Sequence, residues 1–349
     1  MYKIISTNAP VSRPRIPHFR HIRSIELPSS QVNCTLCKIG NRFFAAAFGP
    51  NETVDRSIWV AEIKNKGDIR LKREIKFHAD DLLGLGDHLL VGVSNRVVRV
   101  WDILTDKETS FYSDTPISKI TPMNDFQFLA GGKEGHLMVF DIQEKKCILT
   151  LPGNYDPKEK PVTSAQGTYY PNTTWALAYS ENNLAAIGAK SNSIQVWDLN
   201  KKECLYNFSN LKITPHVLLF LTSSHLICGA RCGEVISWDL SCSEQMSHKS
   251  RSGINTFAQL PNGIVVSGDT GHFFRFWDSR DMEPLGRFEN KSSSSNNGID
   301  RIIYFPDLKE CITGHMGRKL MQWQVAEPTS SGCIKRLTTQ GPPIPGDQL

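Results

Sequence analysis

Apolar and polar positions alternate with period two along most of the chain, and the alternation is cut at short intervals by Gly, Asn, Asp and Ser. That pattern predicts β-strands, which point successive side chains to opposite faces, joined by tight turns into antiparallel hairpins. No long stretch carries a helical period. Some runs end in small residues: FFAAAFG (43–49), HLLVGVS (88–94), FQFLAGG (126–132), NLAAIGA (183–189), HLICGA (225–230), GIVVSGD (263–269) and CITGHMG (311–317). After each comes a polar turn and then a second run holding one large aromatic.

Those aromatics mark a repeat. RVVRVWDIL reaches Trp101-Asp102, HLMVFDIQ Phe140-Asp141, SIQVWDLN Trp197-Asp198, EVISWDLS Trp238-Asp239 and FFRFWDSR Trp277-Asp278. Weaker copies surround Trp59 and Trp323. The intervals are 42, 39, 57, 41, 39 and 46 residues. A further alternating segment follows each marker, as in KKCILTLP (145–152). Four short strands per unit, seven times over, predict an all-β array whose units bury apolar surface by stacking on one another.

The aromatic-Asp pairs in this register resemble the WD-repeat β-propeller family over about residues 20–325. The resemblance implies a seven-bladed β-propeller of four-stranded antiparallel blades, with Trp59, Trp101, Phe140, Trp197, Trp238, Trp277 and Trp323 packed between blades. It makes Asp102, Asp141, Asp198, Asp239 and Asp278 acceptors for turn amides. It also implies a last blade shared by the two termini. HIRSIELP (21–28) is favoured as its outer strand, with CIKRL (333–337) the alternative. The domain reading is a basic arm (1–20), a propeller (21–325) and a tail (326–349). The family's buried Asp six residues before the marker is replaced by Asn95, Glu134, Ser191, Cys232, Gly271 and Gly317, and only Phe77-His78 approximates its Gly-His. The expectation is blades held by packing more than by buried polar bracing.

Composition narrows the function. The chain of 349 residues has 40 Lys and Arg against 35 Asp and Glu, 40% hydrophobic and 21% charged residues. A net charge of +5 suits acidic partners but falls short of a dedicated nucleic-acid binder. No apolar window approaches a membrane span. The N-terminal residues lack a secretory apolar core but carry Lys3, Arg13, Arg15, Arg20 and Arg23. Nine cysteines, odd in number and scattered, suggest reduced, buried thiols in a cytoplasmic or nuclear protein, or in host cytosol for a delivered bacterial protein. Cys34 and Cys37 lie on one strand facing opposite sides, with no second pair to complete a metal site, so no metal and no cofactor is expected.

Candidate binding residues fall in the turns between second and third strands and in the inter-blade loops, which share one face of such a propeller. They are Arg96, Lys133, His136, Lys190, Arg231, Arg318 and Lys319, with Lys249 and Arg251, offset by Glu134, Glu234, Asp269, Asp80 and Asp81. The 151–174 segment is longer than the scaffold needs, and its Tyr155, Tyr169 and Tyr170 suit contact. ENKSSSSNNGID (289–300) reads as a low-complexity loop with Ser292–Ser295 as phosphate acceptors. On the other face Trp277-Asp278-Ser279-Arg280 resembles the motif by which some WD-repeat proteins attach to a cullin–RING ubiquitin ligase adaptor. The acid expected upstream is Gly271.

The innermost strands supply almost no inward Asp, Glu or His apart from His216. No nucleophile elbow, zinc-protease helix or phosphate loop appears, nor the paired arginines of phosphoinositide-binding propellers. A non-catalytic interaction scaffold or adaptor is therefore expected rather than an enzyme. It would be a monomeric propeller within a complex, with protein or peptide partners, acidic or phosphorylated, and neither nucleic acid nor membrane insertion.

Overall fold

The computed structural model describes residues 13–26, 35–48, 57–64, 68–154, 158, 162–164, 167–242, 244–290, 298–315 and 319–326, with backbone alone at 48, 162, 164 and 167–169. It contains seven four-stranded antiparallel sheets. Their innermost strands are Thr35–Ile39, Asp81–Leu85, Ile117–Pro122, Thr174–Ser180, Pro215–Phe220, Ile254–Leu260 and Ile299–Phe305, in blades one to seven. Each of these strands touches the innermost strand of the next blade, and blade seven returns to blade one, so the ring is closed. The outer strand of blade seven is His18–Glu26, paired antiparallel with Lys319–Ala326. Residues 333–337 lie outside the described part.

Burial is organised between blades rather than within them. Seven apolar clusters of described residues occupy the seven inter-blade boundaries. Each marker aromatic joins the cluster shared with the preceding blade: Trp101 packs with Ile58 and Val60 of blade one, and Trp238 with Ala186 and Val196 of blade four. Trp59 alone among the seven is only partly buried. A single four-stranded blade has too little core to stand alone, so the stack folds as one cooperative object.

The small residues ending each second strand have a steric reason. At Gly131, Gly188, Gly229 and Gly268 an added Cβ would sit 2.3 Å from Thr174 Cγ2, 2.8 Å from Pro215 Cβ, 2.6 Å from Ile254 Cγ2 and 2.5 Å from Ile299 Cγ2. Each glycine lets the innermost strand of the next blade lie against it.

Two sets of β-bulges decorate this frame. The innermost strands of blades three to seven each hold one extra residue at the same place: Ser118, Trp175, His216, Asn255 and Asp300. The outer strands of blades one, three, four, six and seven hold Lys72, Ile148, Leu205, Leu285 and Ile22 in the same way. Bulges bend a strand and re-aim its side chains. The long segment between blades three and four is not structureless as its length suggests; it contains a two-stranded hairpin, Val162–Ser164 with Gly167–Tyr169.

Polar bracing exceeds the expectation from sequence. Trp277 Nε1 donates to Ser267 Oγ at 2.9 Å and Trp323 Nε1 to Thr313 Oγ1 at 3.0 Å, the latter hydroxyl lying 2.7 Å from His315 Nε2. Both partners stand ten residues before their marker. Asp269, expected on the surface, is fully buried; it accepts the Gly271 and Phe273 amides and pairs with Arg275 at 2.8 Å. It fills the role left vacant by Gly271, from two residues upstream. Blades two and five instead turn the indole outward, to Glu108 at 3.0 Å and Gln245 at 3.2 Å.

The five marker aspartates accept amides at the following turn, at Leu104 and Thr105, Gln143 and Glu144, Asn200 and Lys201, Ser241, and Arg280. Hydrogen bonds to the ionised form hold all five below the usual carboxylate range.

Candidate protein-interaction face

The turns joining second to third strands open on the same end of the ring as the starts of the innermost strands, where the inner bulges lie. Here the sequence candidates divide. Lys190 sets its ammonium over the ring of Trp175, 5.2 Å from the centroid, and Trp175 stands edge-on to His216 at 6.1 Å. Lys133 lies 3.7 Å from Asp80, which in turn lies 3.1 Å from His78. Arg231 is exposed on the blade-five turn and close enough to His216 to lower its proton affinity. Lys190, Trp175 and His216 thus form one contact set, and Lys133, Asp80 and His78 a second.

The others do not join them. Arg96 donates to the Asp114 carbonyl at 2.5 Å and so ties down the linker after blade two. Lys319 faces Glu26 at 4.0 Å across the closing strand pair. His136 lies 4.0 Å from Glu134, and burial pushes its imidazole below the ordinary value. Lys249 and Arg251 are exposed at the end of the outer strand and the loop after it. Tyr170 is half-buried, and its carbonyl accepts from Thr173 Oγ1 at 2.8 Å. Tyr155, Arg318 and Ser292–Ser295 lie outside the described residues, as does the side chain of Tyr169.

Sequence reasoning named His216 and set Asp81 among the turn residues but missed Lys119, Trp175, Asp300 and Arg301 on the innermost strands, and the near-absence of acids there needs correcting. Asp81 and Asp300 both lie at the channel mouth, with Lys119 and Arg301. Asp81 Oδ2 accepts the Ile120 amide at 3.1 Å and lies 4.0 Å from Lys119 Nζ. Asp300 is pushed up to about 7 by burial, against the opposing pull of Arg301. His216 is pushed down to about 4, by burial first and then by Arg301, Lys119 and Arg231. The bulges explain the oversight: an extra residue breaks the period-two alternation at the point where facing must be assigned. Aligning the innermost strands in repeat register would have found the column Ser118, Trp175, His216, Asn255, Asp300.

On the opposite face Arg280 is committed within the chain. Its Nε and Nη2 donate to Asp278 Oδ1 and Oδ2 at 2.9 and 2.6 Å, and Arg13 reaches the same carboxylate at 3.4 Å and Asp281 at 3.0 Å. Among the seven described cysteines Cys37, Cys228 and Cys311 are buried, whereas Cys204, Cys232 and Cys242 are exposed, so burial of the thiols is only partial; Cys34 and Cys333 lie outside the described residues. Among the described residues no group of three His, Cys, Asp or Glu is placed to hold a metal ion, and no helix is long and apolar enough to cross a membrane.

The chain is thus a closed seven-bladed β-propeller with aromatic and cationic side chains near the starts of its innermost strands. No family model matches the chain. Its curated relatives are distant: WD repeat-containing protein srw1 of Schizosaccharomyces pombe is 23% identical over 275 residues, covering 73% of this chain and 44% of the relative. Protein tipD of Dictyostelium discoideum is 20% identical over 265 residues, 73% of this chain and 40% of that protein. Small ribosomal subunit protein RACK1 of Caenorhabditis elegans is 32% identical over 112 residues, 31% of this chain and 29% of that protein. The chain therefore spans less than half the length of each. In its repeat, its blades and these distant relatives the chain is similar to the WD-repeat propellers.

Proposed function

We propose that this protein is a non-catalytic interaction scaffold that docks an acidic segment of a partner protein at the channel mouth. The observation that carries the reading is convergence: Lys119, Arg231 and Arg301, from three different blades, all lie close enough to His216 to add to burial in lowering its proton affinity. Cations brought together from several blades, only partly offset by Asp81, favour an anionic ligand and speed its approach at low salt. Trp175 supplies an apolar anchor beside them, and aromatic and Arg side chains carry most binding energy at interfaces. The ring holds these groups fixed before the partner arrives, which lowers the entropic cost of binding. With its free cysteines the scaffold would work in the cytosol or nucleus, where thiols stay reduced.

Arg280 is not part of this reading, because it lies on the opposite face, where its Nε and Nη2 hold Asp278. Affinity capture from cells expressing the tagged protein, followed by mass spectrometry, tests the proposal. A partner retained by the wild type and lost on Trp175→Ala or Arg231→Glu supports it. A turnover activity abolished by His216→Ala, or capture indifferent to both variants, sinks it.

A further inference from the structure

Between blades six and seven, at the end of the ring opposite the channel mouth, lies a pocket of about 90 Å³. Buried Leu260, Ile264 and Val325 give it an apolar lining, with Tyr304 beside them. Backbone hydrogen bonds fix two of its walls. The Gly263 carbonyl accepts the Ser279 amide at 2.9 Å on the blade-six side. On the blade-seven side the Pro306 carbonyl accepts the Lys309 amide at 3.1 Å, and the Lys309 carbonyl the Val325 amide at 2.8 Å. The third wall is the N-terminal arm, through Arg15 and Pro17. That arm is pinned on either side of the pocket. Arg13 pairs with Asp281 at 3.0 Å, and the Phe19 ring lies 5.1 Å from Phe274 and 5.5 Å from Phe276. Walls fixed before a ligand arrives lower the entropic cost of binding it.

Size and charge narrow the ligand. An apolar cavity of about 150 Å³ takes a benzene ring, so the smaller volume here suits a branched aliphatic side chain better than an aromatic one. Arg15 and Lys309 stand exposed on the rim, and no acid is among the lining residues. Asp307, from the same turn as Lys309, lines the neighbouring cleft toward blade one instead. Among the described residues Arg15 makes no ion pair, and the Asn262 carboxamide, also on the rim, makes no hydrogen bond. That carboxamide offers both a donor and an acceptor to an extended main chain.

We propose that this pocket docks an extended segment of a partner protein that carries one aliphatic side chain of leucine size beside an aspartate or glutamate. The aliphatic side chain enters between the blades, the carboxylate meets Arg15 and Lys309, and Asn262 bonds the main chain of the segment. The site uses none of the channel-mouth residues, so it stands or falls independently of the docking reading above.

The test uses the whole chain and N-acetyl-aspartyl-leucyl-aspartate amide, read by ¹H–¹³C methyl spectra of Leu260, Ile264 and Val325. Saturable shifts of all three are expected. The same peptide with glycine in place of leucine should bind at least about tenfold more weakly, for want of the buried side chain. N-acetyl-lysyl-leucyl-lysine amide should bind about fivefold more weakly or worse. Arg15→Glu should cost the acidic peptide about fivefold, and Lys249→Ala on blade five should cost it nothing. Ala326→Phe, which fills the pocket from its exposed edge, should abolish binding. Amide spectra unchanged away from the pocket establish that the variants fold. No saturable shift, equal binding of the glycine peptide, or full binding by Ala326→Phe overturns the proposal. So does binding that appears only after residues 327–349 are removed, which would make this chain's own segment the occupant.

Discussion

Trp175 of blade four stands edge-on to His216 of blade five, ring centroids 6.1 Å apart, across a blade boundary. Both are the extra residue of a bulge, so the same local irregularity, repeated in consecutive blades, brings an indole against an imidazole at the channel mouth. The contact ties the burial of His216 to the presence of Trp175.

Trp175→Ala should therefore raise the His216 titration above about 4, toward its ordinary 6.5, because water replaces the indole and burial is the largest cause of the depression. An NMR pH titration of the imidazole measures it. An unchanged value would mean that the cations, not the packing, set the shift.

The same depression has a stability sign. A histidine with a folded value below its unfolded one holds fewer protons in the native state. Its contribution is thus complete above about 6.5 and is lost as pH falls toward 4. His216→Gln should flatten the acid limb of the stability profile in that window, read as urea midpoints at pH 7 and pH 4.5.

Asp300 has the opposite slope. Its folded value of about 7 stands above the ordinary 3.8, so the native state is favoured below 3.8 and loses stability as pH rises to 7. Asp300→Asn removes the buried charge and should stabilise the protein by roughly 1–3 kcal/mol at pH 8, and little at pH 4. Equal effects at both pH values would refute burial as the cause.

The two kinds of indole partner should differ in worth. Thr313→Val keeps the shape but strips the buried Trp323 N–H of its 3.0 Å acceptor, and should cost about 1–3 kcal/mol. Gln245→Ala removes an exposed partner of Trp238 that water can replace, and should cost under about 1 kcal/mol. Paired thermal unfolding curves decide it.

Gly229→Ala should destabilise by about 1–3 kcal/mol, since its Cβ would meet Ile254 Cγ2 at 2.6 Å. Ile254→Ala in the same chain should recover part of that loss, though each change alone is harmful. Additive losses in the double variant would place the strain elsewhere.

The architecture was legible because it is periodic. Trp101, Phe140, Trp197, Trp238 and Trp277 each precede an Asp whose turn role is chemically forced, and their spacing gives the strand register. The innermost strands were less legible where it mattered: Trp175, His216 and Asp300 stand at bulges, where alternation fails and a one-residue slip reverses facing. Lys119 and Arg301 are far apart in the chain, and the ring that brings blades three and seven to one channel leaves no local trace in the sequence. Asp269 misled for the opposite reason; a charged residue beside a turn reads as solvated until Arg275, six positions on, is seen to reach back to it.

Seven outer strands leave seven rims of unpaired amides and carbonyls, a template on which neighbouring molecules could add strand to strand. In five blades the extra residue at Lys72, Ile148, Leu205, Leu285 or Ile22 throws that template out of step. Blades two and five have unbroken rims; that of blade five is edged by Glu244 and Lys249, while that of blade two presents Tyr112, 75% exposed. Blade two is accordingly where crowding would first turn a solution of single rings into stacked ones, and a lysine at Tyr112 is the substitution that would keep them apart.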